Sequence, residues 1–313
     1  MTNPEWNPEG TTLFGGLGHG PKQLNHPRGI FIEPNSQIIY VADTGNNRIQ
    51  KRYPNGTIVT AVSANQNLSR PQDVIADESE NIFVVDSNNQ RVVYFEKDGQ
   101  TGQTVAGNST RGPLLNELSY PSRIMITSTK DLIIADTNNQ RIVLWSFPYD
   151  PSKSVGTIIA GGHGAGLNLT QLDSPSGLYY SESDSTLYIA NQQSHSVFEW
   201  IKGSTHAHRI VAGVIGVHGS SNVQLDNPRG IILDSDKNLY VADSQNNRIQ
   251  RFCLYSKTGI TIAGQGAPGN SDAHLNGPSD IAFDQVLNLY VVDTLNSRIQ
   301  RFERIANKVK ENI

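Results

Sequence analysis

Short runs of apolar residues recur along the chain, and polar segments rich in Gly, Asn, Asp and Pro separate them. The most regular run ends in Asp or Asn and occurs six times: YVAD at 40–43, FVVD at 83–86, IIAD at 133–136, YIAN at 188–191, YVAD at 240–243 and YVVD at 290–293. An apolar run without polar alternation is typical of a strand that is buried on both faces. The chain has 28 Gly but only 2 Met, which favours short strands joined by tight turns over long helices. The pattern therefore predicts an all-β protein.

Each run belongs to a longer repeated unit. A proline that opens another strand stands 15 or 16 residues before the final Asp or Asn of each run, at positions 27, 71, 121, 175, 228 and 278. Proline suits the first position of a strand because its missing N–H breaks no ladder hydrogen bond there. The interval between successive units is 43 to 55 residues. This period indicates the blades of a propeller or the coils of a solenoid.

The ends of the chain distinguish these two architectures. A further strand follows the first five units, as TIVTAV (57–62), QTVAG (103–107), TIIAG (157–161), RIVAG (209–213) and TIAG (261–264), and the sixth unit has none. The segment TTLFGG at 11–16 supplies the missing strand, so we predict that it pairs with the strand at 298–302 and closes a ring. Ring closure removes exposed sheet edges. We therefore predict a six-bladed β-propeller of four-stranded antiparallel blades over 11–303, with tails at 1–10 and 304–313.

The shared pattern, Pro-x-Gly-(Ile/Leu), then Tyr-Val-Ala-Asp, then Asn-x-Arg-(Ile/Val), resembles the NHL repeat, and the resemblance extends over about 290 of the 313 residues. It implies a six-bladed propeller. NHL-type domains occur in RNA-binding and protein-binding ubiquitin-ligase chains, in extracellular sensor domains and in a zinc-dependent peptide-amidating lyase. The resemblance therefore leaves the function open.

Composition narrows the choice of partner. Only 17% of residues are charged and the net charge is −4, so the chain lacks the strongly basic field of a nucleic-acid or membrane-surface binder. Cys253 is the single cysteine, which excludes an intrachain disulfide and a cysteine zinc site. No apolar run approaches the length of a membrane span. We expect a soluble, monomeric propeller, and the composition fits either a cytoplasmic protein or the extracellular part of a secreted or larger one.

The repeated Asp and Arg residues fit a structural role. A carboxylate at the end of a strand can accept backbone N–H bonds in the hairpin turn and pair with an arginine five residues later. The pairs are Asp43 with Arg48, Asp86 with Arg91, Asp136 with Arg141, Asp243 with Arg248 and Asp293 with Arg298. Asn46 and Asn139, which lie in these turns, are interpreted as turn formers that can tolerate left-handed backbone geometry. The fourth unit carries Asn191 and Ser196 instead, so its neighbour His195 is a candidate for ligand contact.

Binding residues are expected in the loops between blades, which gather at one mouth of a propeller channel. Arg28, Arg123 and Arg229 lie beside the prolines that open the units, and the hairpin pattern does not require them. We interpret them, with His195, as the candidate contact residues of a non-catalytic scaffold that binds a protein, peptide or glycan. This interpretation requires no cofactor.

An alternative places a metal at the channel mouth. Two positions after the proline, units two and six carry Asp73 and Asp280, and the unit between them in a closed ring offers His26. Two carboxylates and an imidazole can hold a divalent cation such as Ca²⁺ or Zn²⁺, as in lactonase-like propeller hydrolases. An enzyme of the amidating-lyase type would need histidines after the prolines, and none is found there. RNA binding would need a basic face with stacking aromatic residues, which the inter-blade loops lack.

Overall fold

The computed structural model describes residues 5–149 and 155–305. Within these ranges, short strands and single 3₁₀ turns account for the regular structure, without an α-helix. The strands are β1 (Glu5–Trp6), β2 (Thr11–Gly15), β3 (Ile30–Ile32), β4 (Ile39–Asp43), β5 (Arg48–Arg52), β6 (Ile58–Val62), β7 (Pro71–Ala76), β8 (Ile82–Asp86), β9 (Arg91–Phe95), β10 (Gln103–Ala106), β11 (Arg123–Ile126), β12 (Leu132–Asp136), β13 (Arg141–Trp145), β14 (Thr157–Gly161), β15 (Pro175–Ser181), β16 (Thr186–Asn191), β17 (Ser196–Ile201), β18 (Arg209–Gly213), β19 (Pro228–Leu233), β20 (Leu239–Asp243), β21 (Arg248–Phe252), β22 (Gly259–Ala263), β23 (Pro278–Phe283), β24 (Leu289–Asp293), β25 (Arg298–Phe302) and β26 (Arg304–Ile305). The 3₁₀ turns are Thr44–Asn46, Ala64–Gln66, Ser87–Asn89, Thr137–Asn139, Glu182–Asp184 and Thr294–Asn296.

These strands form the predicted six-bladed β-propeller. Blades 1 to 5 are the sheets β3–β6, β7–β10, β11–β14, β15–β18 and β19–β22, each with antiparallel neighbours in chain order. Blade 6 contains β23, β24 and β25, and its fourth strand is β2 from the beginning of the chain. Thr11 lies opposite Arg301, and Gly15 lies opposite Arg298. The prediction that the N-terminal segment closes the ring is therefore confirmed.

A second contact joins the two ends. Strand β1 pairs with β26, so residues assigned from the sequence to two separate tails form a two-stranded antiparallel sheet. The Trp6 side chain is buried against Tyr240 and Phe283, and its indole N–H donates to the Leu287 carbonyl oxygen at 2.9 Å. The remainder of the predicted C-terminal tail, residues 306–313, lies outside the described residues.

The core consists of apolar layers between adjacent blades. Ile39 and Val41 of β4 pack towards blade 6, whereas Tyr40 and Ala42 of the same strand pack towards blade 2. Both faces of the middle strand are therefore buried, as its unbroken apolar sequence predicts. The described ranges include no helix with the length and apolar character needed to cross a membrane.

The two faces of the disc differ in what they carry. The upper face carries the turns that follow each repeated Asp or Asn, together with the inter-blade loops that lead to the entry prolines. The lower face carries the turns between the first and second strands and between the third and fourth strands of each blade. Residues after the entry prolines therefore lie at the upper mouth of the central channel.

Candidate functional site

The repeated Asp organises each hairpin on the upper face. In blade 1, Asp43 Oδ1 accepts the backbone N–H of Asn25 at 2.7 Å, and Oδ2 accepts Arg48 Nε at 2.6 Å and Asn46 Nδ2 at 2.8 Å. The remaining nitrogens of Arg48 donate to carbonyl oxygens of the loop 19–23. The same Asp–Arg pair is found at Asp86–Arg91, Asp136–Arg141, Asp243–Arg248 and Asp293–Arg298. Each pair thus fastens an inter-blade loop to its hairpin.

Blade 4 keeps only part of this arrangement. Asn191 Oδ1 still accepts a loop amide, that of Asp173 at 3.2 Å. Ser196 contacts Ser194 through their hydroxyl oxygens at 2.8 Å and does not reach the loop. Because the carboxylate and the guanidinium are replaced together, neither is left buried in this hairpin without its partner.

The left-handed residue of each turn directly precedes the Arg or Ser that opens the third strand of the blade. Asn47 and Gln140, rather than Asn46 and Asn139, have positive φ values of 53° and 55°. The side chain at this position accepts the amide that precedes the next entry proline in all six blades: Asn47 from Arg70, Gln90 from Tyr120, Gln140 from Ser174, His195 from Asn227, Asn247 from Gly277 and Ser297 from His26. These bonds link successive blades around the ring.

His195 is one of these linking residues. Its Nδ1 accepts the Asn227 amide at 3.2 Å, and it lies 3.4 Å from a carboxylate oxygen of Asp226. The ring of His218 lies 5.5 Å away. Burial lowers the pKa of His195, the Asp226 carboxylate opposes this effect, and His218 adds to it. His195 therefore lies on the upper face, in a position that the fold itself uses to link two blades.

The channel mouth is a ring of six side chains, one from each blade, that directly follow the entry prolines. They are Arg28, Gln72, Ser122, Ser176, Arg229 and Ser279. The serines bond to neighbouring backbone: Ser279 Oγ donates to the Arg28 carbonyl oxygen at 2.7 Å, and Ser176 Oγ donates to that of Pro228 at 3.2 Å. The open space within the ring is about 30 Å³, enough for a small head group but not for a whole ligand.

Arg28 and Arg229 occupy this ring without a carboxylate partner among the described residues. The Arg28 Nε–H is buried and donates to no acceptor of the described part of the chain. Burial lowers the pKa of Arg229 to about 10, and the nearby Arg28 guanidinium contributes to this shift. Burial likewise lowers the pKa of Arg28, with a second contribution from Arg70. The mouth thus concentrates positive charge that the described residues do not neutralise.

Below this ring, Arg123 closes the channel. Its guanidinium pairs with Asp280 of the opposite blade and lies 3.4 Å from Asp73 of the adjacent blade. Asp73 also accepts the Ile124 amide at 3.0 Å, and Asp280 accepts the Ile30 amide at 2.9 Å. Burial raises the pKa of Asp73 to about 7 against the opposing effect of Arg123, and burial also raises the pKa of Asp280. Two carboxylates therefore share one guanidinium in a buried setting.

Two glycines make room for these carboxylates. A Cβ atom at Gly29 would lie 2.6 Å from Asp73 Oδ1, and one at Gly230 would lie 2.2 Å from Asp280 Oδ1. The glycine of the Pro-Arg-Gly sequence in units one and five is thus required by the carboxylate of a neighbouring blade. Nothing in the repeat pattern alone relates these glycines to the site.

The structure brings together only two of the three residues considered for a metal. Asp73 and Asp280 meet in the channel, but the cation between them is the Arg123 guanidinium. His26 lies apart from them, and its Nδ1 lies 2.7 Å from the side-chain oxygen of Asn25. Over 5–149 and 155–305, no group of three or more His, Cys, Asp or Glu side chains is placed to hold a metal ion. The residues present do not fit the proposed metal centre.

The three candidate arginines therefore divide into two kinds. Arg28 and Arg229 face the mouth without carboxylate partners among the described residues, whereas Arg123 is used inside the channel. Gln72 and Gln192 also line the mouth and were not among the candidate contact residues. Gln72 shares the position of Arg28 in the repeat, so an alignment of the units identifies it; Gln192 enters from the blade 4 turn, which only the structure shows.

Comparison with known proteins agrees with this fold. The family model for the NHL repeat matches residues 225–252, which contain most of blade 5. The other units carry the same strands and, in four of them, the same Asp–Arg hairpin. The chain is thus a six-bladed β-propeller whose fifth blade matches the NHL repeat and whose other blades repeat the same strands. The comparison with curated proteins gave no significant match.

Solved structures with the same architecture have diverse functions. A gluconolactonase from Xanthomonas campestris is 15% identical, with a TM-score of 0.68, over 97% of this chain and 96% of that chain. An auxiliary nutrient binding protein from Bacteroides thetaiotaomicron is 15% identical, with a TM-score of 0.72, over 96% of this chain and 77% of that one. A virginiamycin B lyase from Staphylococcus aureus is 16% identical, with a TM-score of 0.60, over 92% and 82%. At these identities the likeness shows the fold alone.

Proposed function

We propose that this propeller is a non-catalytic binding scaffold whose upper channel mouth receives an anionic group of a protein, peptide or glycan partner. The observation that carries the proposal is the pair Arg28 and Arg229, which lie half-buried at the channel mouth without a carboxylate partner among the described residues. A bound carboxylate, sulfate or phosphate would supply the charge-assisted hydrogen bonds that these guanidinium groups lack.

The dimensions of the mouth support a partner that enters by one group only. The space of about 30 Å³ accepts a single acidic head group, and Arg123 with its two carboxylates closes the channel beneath it. The rest of the ligand would then lie across the inter-blade loops of the upper face. A side-chain or terminal carboxylate of a peptide and an acidic sugar both satisfy this geometry.

The alternative of a metal-dependent propeller enzyme has less support. A lactonase-like site would need a divalent cation at Asp73 and Asp280, where the Arg123 guanidinium lies. An amidating-lyase-like site would need histidines in the ring of residues after the prolines, which contains two Arg, one Gln and three Ser. These side chains favour an anion over a metal cation.

Paired peptide and glycan arrays test the proposal. The peptide array holds matched sequences that differ only by Asp, Asn or Lys at one position, and the glycan array holds matched neutral, carboxylated and sulfated sugars. We expect the wild-type chain to retain acidic members selectively, and the double variant Arg28→Gln/Arg229→Gln to lose at least tenfold in affinity, since central arginine anchors contribute on the order of 1–3 kcal/mol.

Arg111→Gln is the matched control, because Arg111 is also an upper-face cation but stacks on Tyr120, with 5.0 Å between the guanidinium carbon and the ring centroid. It should bind like the wild type. Binding that ignores ligand charge, or that survives in the double variant, would place recognition elsewhere on the upper face.

A further inference from the structure

The lower face contains an open crevice between blades 2 and 3. Its volume is about 1030 Å³, at the upper end of the range for ligand sites in proteins. Phe83, Tyr94 and Ile126 contribute to its apolar wall, and Phe147 and Tyr149 stand at its edge. The Phe147 side chain is 52% exposed, so an aromatic surface faces solvent here. A crevice of this size with aromatic side chains in its wall is typical of a ligand site.

The equivalent crevice between blades 5 and 6 is filled by the chain itself. There the Trp6 ring packs edge-on against Tyr240, at 5.6 Å between centroids, and is stacked on Phe283. Tyr240 occupies the repeat position of Phe83, and Phe283 occupies that of Ile126. A peptide segment with an aromatic anchor therefore already binds this kind of crevice within the molecule.

In the crevice between blades 2 and 3, Tyr149 is the described residue that takes a place comparable to that of Trp6. Tyr149 packs edge-on against Phe83, with centroids 6.0 Å apart, and its hydroxyl donates to the carbonyl oxygen of Lys130. Lys130 is the repeat equivalent of Leu287, whose carbonyl oxygen accepts the Trp6 indole N–H. Tyr149 thus reproduces the anchoring bond of Trp6, but the described residues leave the volume beside it open.

The charge of the crevice indicates what can enter. Four carboxylate residues line it, and one lysine is their only basic counterpart among its described lining residues: Glu33, Asp77, Glu78 and Glu182 against Lys130. The acidic groups come from lower-face turns of blades 1, 2 and 4, so they surround the aromatic wall on several sides. A cationic group next to an aromatic ring would be complementary to both features.

We infer that this crevice is a second docking site, for a peptide segment that carries an aromatic anchor flanked by Arg or Lys. It lies on the face opposite to the channel mouth and has the opposite charge. One propeller would then hold an acidic partner group above and a basic, aromatic segment below.

The test titrates the full chain with the peptide acetyl-Gly-Arg-Trp-Arg-Gly-amide and follows backbone amide chemical shifts by NMR. We expect saturable shifts at Phe147, Lys130 and Glu182, and at least tenfold weaker binding of two matched peptides in which Glu replaces Arg or Ala replaces Trp. Phe147→Ala and Glu78→Lys alter exposed side chains of the crevice and should keep the fold while each weakens binding several-fold.

Two control variants separate this site from other surfaces. Tyr255→Ala removes an aromatic residue, 78% exposed, from another part of the lower face and should leave the affinity unchanged. Arg28→Gln/Arg229→Gln should also leave the affinity for the peptide unchanged. The proposal for the lower face and the proposal for the upper face can therefore be tested separately. Equal binding of the three peptides, shifts confined to the upper face, or crevice shifts induced by a neutral oligosaccharide but not by the peptide would each overturn the inference.

Discussion

Arg248 and Arg229 belong to the same blade and lie in contrasting surroundings. Arg248 Nε pairs with Asp243 at 2.8 Å, and its other nitrogens donate to three carbonyl oxygens of the preceding loop. Arg229 has no such carboxylate among the described residues, and the charge that affects its pKa is another guanidinium, that of Arg28. Arg248 is used by the fold, whereas we propose that Arg229 binds a ligand.

The difference follows from position in the repeat. Arg248 has equivalents in four other blades, each with its own Asp, so the pair is part of the structural unit. The position of Arg229 holds Arg, Gln or Ser in different blades. Side chains that vary around a ring of equal units are available for recognition, whereas those that recur are required by the hairpin.

The largest expected effect is the loss of stability when the recurring Asp–Arg pair is broken. Asp243→Ala removes the acceptor of the Asp226 amide, of Asn246 and of Arg248, and leaves a buried guanidinium without its carboxylate. We expect a loss of about 3 kcal/mol in the free energy of unfolding, measured by urea denaturation.

Blade 4 provides the control for this variant. Asp243→Asn combined with Arg248→Ser reproduces the Asn191 and Ser196 arrangement, which removes both charges of the pair, and should cost less than Asp243→Ala alone. A double variant that is less stable than the single one would show that the Asp–Arg pair does not behave as a unit.

The next effect is a dependence of stability on pH that arises from the carboxylates in the channel. Because burial raises the pKa of Asp73 from 3.8 to about 7, the folded state binds more protons than the unfolded state between these values. Stability should therefore fall as pH rises from about 4 to about 7. Asp73→Asn, which keeps an acceptor for the Ile124 amide, should flatten the profile measured by denaturation at several pH values. Parallel profiles for the two proteins would show that Asp73 does not titrate in this range.

The smallest effect is the response of the mouth to a small anion. Citrate added at constant ionic strength should place one of its carboxylates between Arg28 and Arg229. This should stabilise the wild type by about 1 kcal/mol, because a ligand that binds only the folded state shifts the unfolding equilibrium. The rise in Tm should disappear in Arg28→Gln/Arg229→Gln and persist in Arg111→Gln. An equal rise in all three proteins would indicate a general salt effect.

The sequence was sufficient for the fold because each blade repeats local signals. The entry proline, the apolar middle strand and the Asp–Arg spacing recur in register, so the six units and the closure by residues 11–16 follow from the repeat pattern alone. The pairing of β1 with β26 does not, because those residues lie outside the repeats.

The site was harder to predict because its contacts cross the ring. Arg123 and Asp280 are separated by 157 positions and meet only when opposite blades face each other across the channel. The sequence placed Asp73 and Asp280 at the same repeat position, but it could not show that Arg123 enters between them. A repeat alignment gives the layer in which a side chain lies, and only the closed ring gives its partner.

The central claim is that the mouth arginines serve binding while the hairpin arginines hold the fold, and urea denaturation of Arg229→Gln and Arg248→Gln side by side tests it most directly. At neutral pH the folded chain keeps Arg229 charged although burial has lowered its pKa to about 10. Removing that charge should leave the free energy of unfolding unchanged or raise it by about 1 kcal/mol. Arg248→Gln should lower it by about 3 kcal/mol, because Asp243 loses its partner. Equal losses of stability in the two variants would contradict the account.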